Sequence, residues 1–385
     1  MNYTPISDKI TPLQLEFAAR CISDAQSIAI ITHQNPDGDA LGSSLAMRHF
    51  LLSLGKQNVT NIVPTSFPDF LAWLPGLDSV IQYEQNPDAA AASLRDADLV
   101  ICTDLAEPTR VAALSPILTE RFNNYAEPRN SREYSNSRES SNSGASGLLI
   151  IDHHLSRVCT EHPEQIAYPD SASASELVFR LAYQLTESQN GALSRTDFAT
   201  CIYTGMMTDT GNFSYNSCHP EMYNIVAILL TTGINKDVIY DRVFNAWSAD
   251  RIRLVGYCLY HKMQLFPEYH TALITLNRRE MYRFNAKSGD MEGIVNMPLQ
   301  IKDIYYSVFM REDKIPPHQI PEANGAKIKA KISFRSQGDR PVNILAHEVF
   351  RGGGHMNASG GEYFGSVDEA AKKFIETMPQ YMLKS

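Results

Sequence analysis

Residues 27–39 read Ser-Ile-Ala-Ile-Ile-Thr-His-Gln-Asn-Pro-Asp-Gly-Asp, an apolar run that passes directly into a polar turn. The run at 27–32 is continuous rather than alternating, which is typical of a strand buried on both faces of a parallel sheet. Residues 40–54 follow with apolar side chains at helical spacing. This stretch therefore predicts a strand, a turn and a helix, the unit from which α/β sheets are built.

Three further apolar runs are of the same kind, and they lie at 61–63, 98–103 and 148–151. Because continuous apolar strands alternate with helical patterns, the chain is predicted to begin with a doubly wound, parallel α/β sheet. Amphipathic helical stretches then follow at 174–188, 196–207, 220–232 and 235–245.

The pattern changes after residue 262, where strand-like runs return. We predict a first domain at 1–247, a helical linker at 248–262 and a smaller, mixed α/β second domain at 263–385. Strands in the second domain are expected near 271–276, 304–310 and 326–334, and helices near 341–350 and 367–378.

Two segments are predicted to be loops. Residues 123–147 are rich in Ser, Asn, Arg and Glu, and Asn-Ser-Arg-Glu occurs at 130–133 and again at 136–139. We interpret this segment as a flexible polar insertion, because it cannot bury a core. A basic, anion-binding arm is the alternative, but glutamates match its arginines. Residues 312–325 contain three prolines and are predicted to be a mobile connection.

The composition limits the class of protein. The 385 residues are 43% hydrophobic and carry a net charge of −9, which predicts a globular protein of two or three domains that does not track long nucleic acid. Six scattered cysteines without a C-x-x-C pair suit reduced thiols in a cytosol. The sequence shows no export signal and no apolar run long enough for a bilayer, so we expect a cytoplasmic protein without a membrane partner.

Acidic and histidine residues follow the predicted elements at four places. They are His33, Asp37 and Asp39 after the first strand, Asp104 after the third, Asp152-His153-His154 after the fourth, and Asp209 at a helix end. Ligands of open α/β sheets bind beyond the carboxyl ends of the strands. We therefore expect these side chains to converge on one site.

Each segment also has a purely structural interpretation, such as helix capping by Asp37 or a turn at Asp104. That interpretation must hold independently at all four places, and it does not explain why the segments share one end of the sheet. The set contains five carboxylates and three imidazoles. Carboxylates in such numbers repel one another unless cations are bound, and mixed Asp and His ligands suit two divalent metals. Mn(II) fits this donor set better than Ca(II), while Mg(II), Co(II) and Fe(II) remain open.

The ordered set of motifs, with its Asp152-His153-His154 signature, resembles the DHH phosphoesterase superfamily. The resemblance implies that His33 and Asp37 bind a first metal, that Asp39, His153 and Asp209 bind a second, and that Asp104 bridges both. It further implies that His154 contacts the substrate phosphate, that Asp152 orients the motif, and that the active site lies in a cleft between the two domains.

Two motifs in the second domain complete the set. Residues 331–336 read Lys-Ile-Ser-Phe-Arg-Ser, and residues 350–361 contain the run Gly352-Gly353-Gly354-His355. Glycines let a backbone approach an anion, although a tight turn is the alternative. Lys327 and Lys329 are interpreted as lysines that protect an edge strand.

These two motifs resemble the DHH-associated domain of the nanoRNase and pAp-phosphatase group. The resemblance implies that Arg335, Ser336, Gly352, Gly353, Gly354 and His355 hold the phosphate and the base or ribose of a nucleotide. Arg351 stands where this group usually carries a further glycine, and it is an added candidate for phosphate binding. Family II pyrophosphatases share the motifs of the first domain but lack Gly-Gly-Gly-His, so they are a less favoured resemblance than the nanoRNase and pAp-phosphatase group.

The leading hypothesis is a two-metal phosphoesterase that cleaves short RNA or DNA oligonucleotides to mononucleotides, or 3′-phosphoadenosine 5′-phosphate to AMP. A phosphodiesterase for cyclic or linear dinucleotides such as c-di-AMP and pGpG remains open, since the same metals cleave both. A RecJ-type single-strand exonuclease ranks lower, because no additional basic, aromatic platform is visible. A non-catalytic nucleotide sensor ranks lower too, because it needs no full ligand set. A homodimer is compatible with the sequence.

Overall fold

The computed structural model describes residues 6–126, 147–154, 162–186, 195–287, 289–315, 319 and 325–382. The predicted insertion at 123–147 lies outside these ranges except at its ends, which close one helix and open one strand. Most of the second predicted loop is also outside them. The chain divides into two compact units, Met1–Ala246 and Trp247–Ser385. The domain and linker boundaries given above stay a prediction.

The first unit alternates strands and helices and ends in four consecutive helices. The strands are β1 (Ile28–Ile31), β2 (Val59–Val63), β3 (Ile81–Gln82), β4 (Leu99–Thr103), β5 (Gly147–Asp152) and β6 (Gln165–Ala167). The helices are α1 (Pro12–Asp24), α2 (Gly38–Ser53), α3 (Pro87–Asp96), α4 (Ser115–Ala126), α5 (Ala174–Leu185), α6 (Thr196–Asp209), α7 (Pro220–Thr231) and α8 (Lys236–Phe244).

The six strands form one sheet in the order β3-β2-β1-β4-β5-β6, and every pair is parallel. The predicted doubly wound parallel sheet is therefore confirmed. Strand β1 shows why its sequence is continuously apolar. Ile28 and Ile30 join the core on one face of the sheet, whereas Ala29 and Ile31 join the core on the other. Full burial of an isoleucine contributes about 1.5–3 kcal/mol, so both faces favour this placement.

The strand order reverses between β1 and β4. Strands β2 and β3 lie on one side of β1, and strands β4, β5 and β6 lie on the other. Ile31 at the end of β1 lies beside Cys102 of β4, and Thr103 lies beside Ile151 of β5. The loops that follow these strands therefore leave the same edge of the sheet next to one another. Ligands of doubly wound sheets bind at this reversal point.

The second unit contains a mixed sheet with helices. Its strands are β7 (Gln264–Phe266), β8 (Thr271–Leu276), β9 (Tyr306–Lys314), β10 (Ile328–Ser336), β11 (Gly353–His355) and β12 (Ala358–Phe364). Its helices are α9 (Ala249–Tyr257), which a π-helical turn extends to Lys262, then α10 (Arg278–Arg283), α11 (Asn343–Phe350) and α12 (Val367–Tyr381). The order is β11-β12-β10-β9-β8-β7, with β8 and β9 parallel and the other pairs antiparallel.

Two details of the second unit correct the expectations from sequence. Strand β10 is interior, because Lys329 pairs with Asp313 of β9 on one side and with Phe364 of β12 on the other. The interpretation of Lys329 as an edge lysine is therefore wrong, and Lys327 lies before the first residue of β10. The predicted loop at 312–325 also begins too early, since β9 continues to Lys314.

No helix in the described ranges combines the length and the apolar character that crossing a bilayer demands.

Candidate active site

His33 and Asp104 meet where the strand order of the first sheet reverses. His33 lies two residues beyond β1, Asp104 follows β4 directly, and His33 Nε2 is 3.1 Å from Asp104 Oδ2. His33 Nδ1 lies 2.9 Å from the carbonyl oxygen of Gln34. Both ring nitrogens thus face oxygens that only accept hydrogen bonds. The ring must therefore hold two protons, or one proton and a cation at Nε2.

The protonation of this pair follows from burial and contact together. Both side chains are buried. Burial opposes the charged form of His33, but the hydrogen bond to Asp104 and the charges of Asp104 and Asp37 together outweigh that effect and raise the pKa of His33. Burial likewise opposes ionisation of Asp104, yet the imidazoles of His154 and His33 hold the pKa of Asp104 well below its usual range. The carboxylate is ionised at neutral pH and attracts any cation that enters.

Asp37 caps helix α2, as its structural interpretation predicted. Asp37 Oδ1 accepts the backbone N–H groups of Asp39 and Ala40, each at 3.0 Å. Within the described ranges these capping bonds use Oδ1 alone, so the cap fixes the carboxylate and leaves Oδ2 for a ligand. Capping and ligand binding are compatible here rather than exclusive.

Asp39 is buried against the beginning of helix α5. Asp39 Oδ2 accepts the N–H of Ala174 at 2.7 Å, and Oδ1 accepts the N–H of Ser175 at 2.9 Å. A helix N-terminus stabilises a carboxylate. Even so, burial and the nearby carboxylate of Asp104 raise the pKa of Asp39 to about 6. An uncompensated negative charge at this place is costly, and a bound cation would remove the cost.

Close contact between α2 and α6 brings Asp209 to the same place. A Cβ atom on Gly42 would lie 2.9 Å from the Cα of Gly205, and one on Gly205 would lie 2.9 Å from Asp39 Oδ1 and would overlap the Ser175 hydroxyl. Glycine at both positions is therefore a condition of the site. The sequence reasoning missed these residues, although glycines inside two helical runs are the signal that points to them.

The Asp152-His153-His154 segment begins at the last residue of β5. Asp152 Oδ1 accepts the N–H of His154 at 3.0 Å and lies 2.6 Å from its Nδ1. Burial opposes ionisation of Asp152, but this bond to His154 lowers the pKa of Asp152. Burial lowers the pKa of His154, whereas the carboxylates of Asp104 and Asp152 raise it. The net effect is an increase in this pKa. Asp152 therefore fixes the ring of His154.

His153 lies among three carboxylates. Its Nε2 is 3.7 Å from Asp39 Oδ2, 3.7 Å from Asp104 Oδ1 and 3.6 Å from Asp209 Oδ2. These distances are too long for hydrogen bonds. They suit atoms that share an ion at about 2.1 Å from each. Although 31% of the Asp209 side chain is exposed, burial and the carboxylates of Asp39 and Asp37 raise its pKa well above the usual value.

The predicted metal ligands form two compact groups. The ligand atoms of His33, Asp37 and Asp104 lie within 4.8 Å of one another, and so do those of Asp39, His153 and Asp209. Asp104 faces both groups, since Oδ2 lies beside His33 and Oδ1 beside His153. Asp104 Oδ1 is buried and accepts no hydrogen bond in the described ranges. This donor set fits two divalent metals that share the Asp104 carboxylate.

The predicted substrate residues of the second unit lie on and around strands β10 and β11. Arg335 belongs to β10, and its Nη1 donates to the carbonyl oxygen of Phe334 at 2.9 Å. The Ser336 hydroxyl donates to the carbonyl oxygen of Arg340 at 2.5 Å and accepts from Asn357 Nδ2 at 3.0 Å. Ser336 is therefore used to hold the loop after β10.

The glycine run forms one strand of a hairpin with β12. Arg351 ends helix α11 with a left-handed backbone, and its guanidinium lies 5.0 Å from the centre of the Phe364 ring. A Cβ on Gly352 would overlap the carbonyl oxygen of Gly360, which is a packing reason for glycine. Gly354 has a φ of +136°, a conformation that favours glycine. The turn interpretation thus explains Gly352 and Gly354.

Gly353 has no such explanation. A Cβ atom at this position would meet nothing within 4 Å, and its φ is not positive. The side chain of His355 in turn shares a sheet face with Arg335, because both residues pair with Ala358 of β12. The structure therefore brings Arg335, Gly353 and His355 to one surface of the second sheet.

Comparisons with known proteins relate this chain to one family. Residues 27–206 match the family described as "DHH family, N-terminal domain". A solved structure from Bacteroides fragilis, described as an exopolyphosphatase-related protein, is 39% identical and superimposes with a TM-score of 0.78. That likeness covers 97% of each chain.

Two curated relatives carry the description "Bifunctional oligoribonuclease and PAP phosphatase NrnA". The protein of Thermus thermophilus is 26% identical over 93% of this chain and 91% of its own length. The protein of Bacillus subtilis is 25% identical over 91% of this chain and 93% of its own length. Both comparisons extend over the two units.

Proposed function

The chain belongs to the DHH family, and from that premise we propose that it is a metal-dependent phosphoesterase for short nucleotides. It would cleave short oligonucleotides to mononucleotides and 3′-phosphoadenosine 5′-phosphate to AMP. The shared description of the two curated relatives supports this choice within the family, because each matches more than 90% of this chain. The Arg335 and Gly-Gly-Gly-His elements of the second unit support it further.

The observation that carries the proposal is the placement of Asp104 between two ligand groups. One oxygen of its carboxylate lies beside His33 and the other beside His153. Divalent metals bound to these residues would activate water and neutralise charge on the phosphate. We propose Mn(II) as the metal, because imidazoles and carboxylates are mixed in both groups.

The protein's own residues would orient and stabilise the phosphate. Asp152 engages His154 Nδ1, so the Nε2 side of the ring would meet a phosphate oxygen. A positioned, protonated imidazole lowers the energy of charge that develops on transferring phosphate oxygens. The capped Asp37 and the helix-anchored Asp39 hold their carboxylates before substrate arrives, which avoids reorganisation during the reaction.

Residues of the second sheet would bind the rest of the nucleotide. Arg335 supplies a fixed guanidinium for phosphate, and Gly353 leaves a flat surface for a ribose or base. His355 and Arg351 are the further candidates of this surface. The interdomain location of the site, the cytoplasmic location of the protein and the homodimer stay predictions.

The test is a paired hydrolysis assay with added Mn(II). Phosphate release is measured from 3′-phosphoadenosine 5′-phosphate, and mononucleotide release from an RNA ladder that begins at dinucleotides. We expect activity on the former and on the shortest oligomers, fading with length. Processive cleavage of the longest strands would contradict the proposal, and so would turnover of c-di-AMP or inorganic polyphosphate alone. Polyphosphate is included because of the description of the 39% identical relative.

A further inference from the structure

One face of the second sheet carries three parallel rows of side chains across β9, β10, β12 and β11. Residues directly opposite one another in adjacent strands lie on the same face, and alternate residues of one strand do so as well. The arginine row consists of Ser307, Arg335, Ala358 and His355. The glycine row consists of Phe309, Ser333, Gly360 and Gly353. The lysine row consists of Arg311, Lys331 and Glu362.

The lysine row places two cations directly opposite each other. Lys331 of β10 pairs with Arg311 of β9 on one side and with Glu362 of β12 on the other. Like charges at directly opposed positions destabilise a sheet. Glu362 offsets this cost for Lys331 only in part, because its carboxylate bonds to the ammonium of Lys329 at 2.6 Å and to Gln319 Nε2 at 3.2 Å.

The side-chain ammonium of Lys331 forms no ion pair or hydrogen bond within the part of the chain that the structure describes. Arg311 has a contact of 3.7 Å to Asp313, which is long for an ion pair. Burial and the neighbouring Arg311 lower the pKa of Lys331. A half-buried ammonium without a partner costs free energy that an anionic ligand would recover.

The glycine row keeps the surface between these cations open. Gly353 and Gly360 are exposed, and a Cβ on Gly353 would meet nothing within 4 Å. A Cβ on Gly360 would make only an ordinary contact of 3.7 Å with the carbonyl oxygen of Ile332. Packing therefore does not demand glycine at either place. Because Gly353 and Gly360 have no side chains, they leave a flat surface, the glycine floor, on which a ribose or base can lie.

We propose that Lys331 and Arg311 form a second phosphate subsite, which binds an internucleotide phosphate of an oligonucleotide, while the phosphate two nucleotides away along the same strand lies at Arg335. This inference rests on the proposed function and names the part of the protein that favours oligomers. Arg335 and Lys331 are four residues apart on one strand, or about 14 Å at 3.4 Å per residue. Two phosphates on one ribose cannot span this separation, so 3′-phosphoadenosine 5′-phosphate would not reach the lysine row.

The test compares K331Q with K373Q in the full chain. Lys373 is exposed on α12, whose Phe374 packs on the opposite face of the sheet, so K373Q makes the same change of charge away from the rows. Binding of a fluorescently labelled RNA pentamer and of 3′-phosphoadenosine 5′-phosphate is measured in the presence of a chelator, which separates binding from hydrolysis. Hydrolysis of both compounds is measured in parallel with Mn(II).

We expect K331Q to weaken pentamer binding about five- to tenfold and to leave binding of the mononucleotide unchanged. The slope of log Kd against log salt for the pentamer should fall by about 0.7, which corresponds to one lost phosphate contact on a single strand. K331R should restore both, and K373Q should match the wild type. A merely structural role of Lys331 would not change the slope.

Two outcomes would overturn the subsite. One is an unchanged pentamer affinity in K331Q, and the other is an equal loss for the pentamer and the mononucleotide. The two proposals fail separately. If the wild-type protein hydrolyses neither compound, but K331Q binds the pentamer more weakly than the wild type does, the proposed function is refuted and the subsite is retained. If K331Q hydrolyses the pentamer as the wild type does at all pentamer concentrations, the subsite is refuted and the proposed function is retained.

Discussion

Asp104 Oδ2 lies 3.1 Å from His33 Nε2, across the two strands at which the order of the parallel sheet reverses. The second oxygen of this carboxylate faces His153, and it accepts no hydrogen bond in the described ranges. A single side chain thus contacts both ligand groups. Loss of its charge should affect both at once, whereas loss of any other ligand should affect one.

Replacing Asp104 should be more damaging than replacing a ligand that belongs to one group. We expect D104N to lower kcat about 1000-fold or more and to reduce bound metal below two ions per chain, because an amide cannot neutralise two cations. Metal content by mass spectrometry and initial rates give the measurement. D78N, which changes an exposed carboxylate, is the control. Near-normal turnover of D104N with two metals bound would rule out the bridging role.

The contact between α2 and α6 predicts a second sensitive position. G205A should weaken metal binding and lower the free energy of unfolding by about 1–3 kcal/mol, because the added methyl group would press on Asp39 and Ser175. G256A is the matched control, since a Cβ at that helical position meets nothing within 4 Å and should stabilise α9 by up to about 1 kcal/mol. Urea denaturation and metal titration measure both effects. Equal behaviour of the two variants would contradict the role given to Gly205.

The metal-free protein should lose stability as the pH rises above about 6.5. His33 and His154 have raised pKa values in the folded state. Their contribution is complete below the unfolded pKa of about 6.5 and is lost as the pH rises through the folded pKa. Asp39, with its pKa raised to about 6, adds a loss in the same direction between about pH 4 and 6.

Bound metal should reverse this dependence, because it binds the deprotonated ligands. Mn(II) should therefore raise the midpoint of thermal unfolding more at pH 8 than at pH 6. Melting curves with a chelator and with Mn(II) across this range provide the measurement. A chelated protein that becomes more stable towards pH 9 would show that the imidazoles are not held as charged partners of Asp104 and Asp152.

Much of this arrangement can be predicted from the order of the residues alone. Continuous apolar runs identify the central strands, and polar residues directly after them identify the edge at which His33, Asp104 and Asp152 meet. Register and helix contacts cannot be predicted in this way. Gly205 acts through a distance between two helices that lie far apart in the sequence. Lys329 appeared to be an edge lysine because alternation along a strand does not show which strands lie beside it.

The run of three glycines also mixes two roles that only the structure separates. A Cβ on Gly352 would overlap the backbone of Gly360, so G352A should destabilise the second unit by about 1–3 kcal/mol. Gly353 has open space instead, so G353V should fold with unchanged or slightly higher stability, since valine favours strands.

If the open floor at Gly353 receives part of the nucleotide, G353V should raise KM for both the mononucleotide and short oligomers about tenfold or more at a nearly constant kcat. The reason is that the added side chain fills the place of a ribose or base, while the metal ligands themselves are unchanged. Steady-state kinetics and urea denaturation of G352A and G353V measure the two roles side by side. Wild-type KM values in a stably folded G353V would mean that the glycine floor does not contact substrate, and that Arg335 and His355 hold the nucleotide without it.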